Sequence, residues 1–84
     1  MVDFTLLGAR LLGARRRRGL KQKELAQQTG VHPVTLSRIE HGNFPTVSLE
    51  LIARLAGTLG VSVDYLLGLK SEEEVSKGEH TDAR

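Results

Sequence analysis

The sequence predicts an all-α chain of five short helices, the second and third joined as a helix-turn-helix. Three observations predict it. Apolar residues recur at spacings of three and four through Leu67, the mark of helices with one buried face. Glycine interrupts that pattern at Gly19, Gly30, Gly42, Gly60 and Gly68. Between Gln22 and Ile39, Leu25, Val31, Leu36 and Ile39 supply an apolar frame around a turn at Gly30, with the small Ala26 where two helices must approach. In a helix-turn-helix of this layout, the second helix of the pair is the one that enters the DNA major groove.

The first helix is expected from about Phe4 to Arg18, with Phe4, Leu7, Leu11 and Ala14 on one face. It holds a short duplication, Leu6-Leu7-Gly8-Ala9-Arg10 followed by Leu11-Leu12-Gly13-Ala14-Arg15, which is too short for a repeat fold. Its two internal glycines each cost ~1 kcal/mol relative to alanine, so its early turns are expected to be weak. Gly19 and Leu20 end it. The second helix is expected from about Gln22 to Thr29 and the third from about Pro33 to His41. Pro33 suits a first helical position, where its missing N–H would be unpaired anyway. Gly42-Asn43-Phe44-Pro45 reads as a loop. Ser48 is placed to cap a fourth helix through Leu59, with Leu49, Ile52, Leu55, Ala56 and Leu59 on its buried face. Ser62 is placed to cap a fifth, holding Val63, Tyr65, Leu66 and Leu67 and ending near Gly68.

Composition narrows the function. The chain of 84 residues has no cysteine, which excludes a disulfide framework and thiolate metal sites. Its N-terminal apolar stretch runs into Arg15-Arg16-Arg17-Arg18, the reverse of a signal peptide's charge order. No apolar run nears the ~20 residues of a membrane span, so a cytoplasmic protein without a membrane partner is expected. The net charge of +2 conceals an asymmetry: residues 1–70 carry ten Lys/Arg and five Asp/Glu, a balance of +5, whereas residues 71–84 carry two and five, a balance of −3. A basic domain over residues 1–70 suits a polyanion. Residues 71–84 hold too little apolar surface to offset ordering entropy and read as an acidic, disordered tail or a segment that orders on a protein partner. His32, His41 and His80 lie too far apart in the pattern for a metal site, and there is no nucleophile–base pair or phosphate loop. Neither metal nor cofactor nor enzymatic activity is expected.

On a helical wheel of ~100° per residue with Leu36 at zero, Ile39 falls at about 300°, while Ser37, His41, Val34 and Arg38 fall at about 100°, 140°, 160° and 200°. The last four point away from the core, with His32 and Pro33 at the N-terminal end. Arg38 can donate two hydrogen bonds to guanine, Val34 can pack on a thymine methyl, and Ser37 can donate or accept. His41, near the helix end, is expected at the DNA backbone. The alternative for this stripe is an ordinary solvated face. Glu40 falls near 40°, toward the core, where a carboxylate wants a partner. Arg15, at the edge of the first helix's buried stripe, is expected to supply it.

These residues resemble the lambda-repressor-like, Cro/C1-type helix-turn-helix domains, also called the xenobiotic-response-element family. The resemblance runs from about Leu11 to Leu67. It is carried by Arg18-Gly19-Leu20-Lys21-Gln22-Lys23-Glu24-Leu25-Ala26, Gly30-Val31, Ser37-Arg38-Ile39-Glu40-His41-Gly42, Ser48-Leu49-Glu50, and Leu55-Ala56 with Leu59-Gly60-Val61-Ser62. It implies a five-helix DNA-binding domain that usually binds operator DNA as a dimer, a phosphate contact from Gln22, a structural ion pair between Arg15 and Glu40, and base-reading positions at His32, Pro33, Val34, Ser37 and Arg38. The chain departs from the family at Lys21, where Ser or Thr usually caps the second helix, and at His32 and Pro33, which replace polar residues.

The expected function is a sequence-specific transcriptional regulator, a homodimer on a pseudo-palindromic operator of double-stranded DNA. Phosphate contacts are expected from Arg18, Lys21, Gln22, Lys23, His41 and Asn43. Tyr65, Leu66, Leu67 and Leu69 crowd the last short helix and are expected to form the dimer contact. An antitoxin, a restriction-modification controller and a protein-interaction adapter on the same fold are the alternatives.

Overall fold

The computed structural model describes residues 2–44 and 46–71. The expected tail, apart from Ser71, and Pro45 of the expected loop lie outside the described residues. Five helices form in order: α1 (Phe4–Arg17), α2 (Gln22–Thr29), α3 (Pro33–Glu40), α4 (Leu49–Leu59) and α5 (Val63–Leu67). α1 and α3 each end one residue earlier than expected. Arg18 and His41 are the capping residues instead.

Four of the five described helices begin on a residue whose side chain meets a free N–H group. Asp3 accepts from Thr5 and Leu6 at 3.0 and 3.1 Å, Ser48 from Leu51 at 3.1 Å and Ser62 from Tyr65 at 2.9 Å. Lys21 has no acceptor on its side chain. The Glu24 carboxylate reaches back instead and accepts the Lys21 N–H at 2.7 Å, which is one half of a capping box. The helices also end alike. After each terminal glycine the next N–H bonds back five residues, from Leu20 to Arg15, Val31 to Ala26, Asn43 to Arg38, Val61 to Ala56 and Leu69 to Asp64. This is the chain reversal that a residue of positive φ makes possible.

α1 packs on α3, α5 and α4, and α2 packs on α3 and α4. The core between them is built from Leu7, Leu11, Leu25, Leu36, Ile39, Ile52, Leu55, Leu59, Val61 and Leu66, all nearly inaccessible, with Ala14, Ala26 and Ala56 at the close approaches. Gly8 has a packing role in α1. It is buried, and a Cβ there would collide with the carbonyl oxygens of Ile39 and Glu40, so glycine is what lets α1 meet the end of α3.

Two expectations about apolar residues fail. Leu49 lies outside the core at 67% exposure, whereas Val47, two residues before α4 begins, is buried in it. Leu66 is wholly buried and therefore cannot belong to a dimer contact. α5 has only five residues, too few for periodicity to show which side faces inward. Tyr65 and Leu67 are half-buried against the core, and only Leu69, just past the helix, stands free at 72% exposure. The α1–α5 junction is tied by Arg10. Its Nη1 donates to the carbonyls of Tyr65 and Lys70 at 2.7 and 2.6 Å, and its guanidinium lies 4.4 Å from the Tyr65 ring centroid.

Candidate nucleic-acid interface

α3 owes its position to a buried ion pair. Arg15 Nε donates to Glu40 Oε2 at 2.6 Å and its Nη2 to Oε1 at 3.2 Å, while Nη1 donates to the Leu20 carbonyl at 2.8 Å. Gln22 Nε2 donates to the same Glu40 Oε1 at 2.9 Å. Arg15 and Glu40 are 8% and 4% exposed. Two buried charges are costly unless their hydrogen-bonding capacity is met, and four bonds meet it here. The pair joins α1 to the last turn of α3, and through Gln22 to the first turn of α2. One carboxylate on α3 thus bonds to side chains of both α1 and α2.

The outward face of α3 carries His32, Pro33, Val34 and Arg38, all exposed. Val34 is 60% exposed, a poor place for an apolar side chain unless something covers it. Ser37 lies at the flank and is half-buried. The two histidines present opposite chemistry. His32 Nδ1 accepts the Val34 N–H at 3.2 Å, so its proton sits on Nε2, which is an outward donor. It serves as the N-cap in place of Ser or Thr. His41 Nδ1 lies 2.7 Å from the Ser37 carbonyl. A carbonyl can only accept, so Nδ1 donates and Nε2 is an outward acceptor in the neutral ring. His41 can donate to a phosphate only as imidazolium.

Lys21 and Lys23 are exposed on either side of half-buried Gln22 at the start of α2, and Asn43 is exposed beyond α3. Arg18 sits elsewhere. Its guanidinium lies beside Gly60 at the end of α4, 3.9 Å from where a Cβ on that glycine would be. A cation is favoured at such a helix end by the dipole. Neighbouring Arg17 reaches the Tyr65 hydroxyl at 3.4 Å. Within the arginine run, Arg15 thus faces α3, while Arg17 touches α5 and Arg18 lies beside the end of α4.

Sequence reasoning missed Phe44. Its ring is half-buried against the core, and the Arg38 guanidinium carbon lies 5.5 Å from its centroid. A lone aromatic in a loop following a surface arginine was the available signal.

The model of the helix-turn-helix family matches residues 12–66. The chain belongs to the Cro/C1-type helix-turn-helix family. It is 37% identical over 76 residues to the transcriptional regulator ImmR of Bacillus subtilis, a match covering 90% of this chain and 57% of ImmR. The chain thus spans little more than half the length of that relative. Among solved structures, the clp gene regulator ClgR of Corynebacterium glutamicum superposes with a TM-score of 0.74 at 36% identity, covering 82% of this chain and 72% of ClgR. SinR, the master regulator for biofilm formation, solved in complex with DNA, superposes with a TM-score of 0.69 at 33% identity, covering 73% of this chain and 97% of that one. Among the described residues no helix is long and apolar enough to cross a membrane.

Proposed function

We propose that this chain is a sequence-specific transcriptional regulator of double-stranded DNA that inserts α3 into the major groove. The observation that carries this reading is the exposed His32–Pro33–Val34–Arg38 face, held on a helix that a buried ion pair fixes in place. Arg38 reads a guanine, Val34 packs on a thymine methyl, and Ser37 contacts a base from the flank. Pro33 offers only apolar contact, while His32 Nε2–H donates to a base or phosphate acceptor. Lys21, Gln22, Lys23, His41 and Asn43 hold the phosphates. The regulator works in the cytoplasm, without enzymatic activity of its own, as a homodimer on a pseudo-palindrome with half-sites about one helical turn apart. Leu69 and the outer sides of Tyr65 and Leu67 are its dimer surface, and the acidic tail beyond residue 70 is open to a protein partner.

The test is selection from randomised duplex DNA near physiological salt, with R38A in parallel. A two-fold motif relaxed by R38A at one symmetric position supports the reading. Binding without sequence preference, lost steeply with salt, overturns it and favours an adapter built on this fold.

A further inference from the structure

α3 ends in a turn that carries the chain back along its own flank. The Gly42 N–H bonds to the Ile39 carbonyl at 3.1 Å and the Asn43 N–H to the Arg38 carbonyl at 2.8 Å, the paired bonds of a Schellman reversal. Gly42 has φ +72° and passes so close to α1 that a Cβ would lie 3.2 Å from Thr5 Cα, so both its conformation and its space call for glycine. Phe44 follows Asn43 and is set against the core margin, with its ring centroid 5.5 Å from the Arg38 guanidinium carbon.

We propose that Phe44 is a positioning residue for base recognition, a fixed aromatic platform that holds the Arg38 guanidinium ready for a guanine edge. The inference rests on the DNA-binding reading of α3 given above. A guanidinium within about 6 Å of a ring centroid is attracted by the ring's electrons. The Phe44 ring offers Arg38 no oxygen or nitrogen acceptor, so the contact uses none of the guanidinium's hydrogen bonds to such atoms. The N–H donors lie in the guanidinium plane and remain available to two acceptors on one base edge. An exposed arginine otherwise samples many rotamers, and ordering them counts against binding. The ring, itself fixed by the core, reduces that cost at the single base pair Arg38 reads and leaves the phosphate contacts of α2 untouched.

The experiment compares wild type, R38A, F44L, F44W and the R38A/F44L double variant by competition binding to the selected site and to the site altered at the pair that R38A relaxes. Thermal midpoints and salt slopes are recorded for each. Leucine fills the core margin without a ring, and tryptophan keeps one. We expect F44L to lose about threefold to fivefold in discrimination at that pair only, the effect of one exposed cation–π contact. F44W should retain discrimination, the double variant should be no worse than R38A, and the salt slope should not change. Wild-type discrimination in F44L, an equal loss on every sequence, or tighter specific binding by F44L overturns the proposal. If the wild type selects no site at all, the DNA-binding reading fails first and this inference falls with it.

Discussion

Glu40 Oε1 accepts from both Arg15 and Gln22, at 3.2 and 2.9 Å, so the ion pair that anchors α3 also orients the side chain at the head of α2. The arrangement couples stability to the proposed interface through one oxygen atom.

Removing one partner leaves the other charge buried and unpaired. R15A and E40A should each destabilise the fold by about 3–5 kcal/mol. In a domain of this size that lowers the thermal midpoint by well over ten degrees, at about 4–8 °C per kcal/mol. A well-packed apolar pair such as R15M/E40L should recover most of the loss in urea melts. Single variants with wild-type midpoints would show that the pair contributes nothing.

The glycines of α1 and α4 should respond in opposite directions. G8A forces a methyl group against the Ile39 and Glu40 carbonyls and should cost about 1–3 kcal/mol as overpacking. G57A, on an exposed helical turn with nothing within 4 Å of a new Cβ, should gain about 0.5–1 kcal/mol from helix propensity. Calorimetric melts of the two variants give the comparison, and a stabilising G8A would contradict the close packing of α1 on α3.

His32 acts as a cap, and a smaller cap should replace it. H32A should cost about 0.5–2 kcal/mol, whereas H32S and H32N should restore most of that stability. On DNA, H32S also removes the outward Nε2–H. A variant of full stability but weakened binding would separate the two roles, and urea midpoints read beside binding curves will show whether they separate.

Phosphate and base contacts should be distinguishable by salt. K21A and K23A should weaken binding to all sequences alike and lower the salt slope by about 0.9 for each lost phosphate contact. V34A should leave the slope unchanged and weaken preference at one thymine. Affinities measured across a range of salt concentrations decide between them, and an unchanged slope in K21A would remove Lys21 from the phosphate set.

Much of this was readable in the chain because it depends on neighbours a few residues apart. The outward direction of Val34 and Arg38 follows from their angle to Leu36 and Ile39 on one helix. The inward direction of Glu40 follows from the same wheel and calls for a cation, which Arg15 supplies. The helix ends follow from glycines and capping side chains, whose effect is confined to a single turn. The exchange of Leu49 for Val47 in the core, the burial of Leu66 and the placement of Arg18 beside Gly60 were not readable. Each depends on what another helix presents at that point.

By itself, the sequence determined the number and order of the helices, the helix-turn-helix and the face that α3 turns outward, since periodicity and capping are local physics. Only the tertiary structure decided that Gly8 is a contact point, that Gln22 is held by Glu40 and that Phe44 supports Arg38. The first two relationships join residues distant along the chain, which only packing of the helices around a common core brings within a few ångströms, and the third depends on the core margin against which the Phe44 ring is packed.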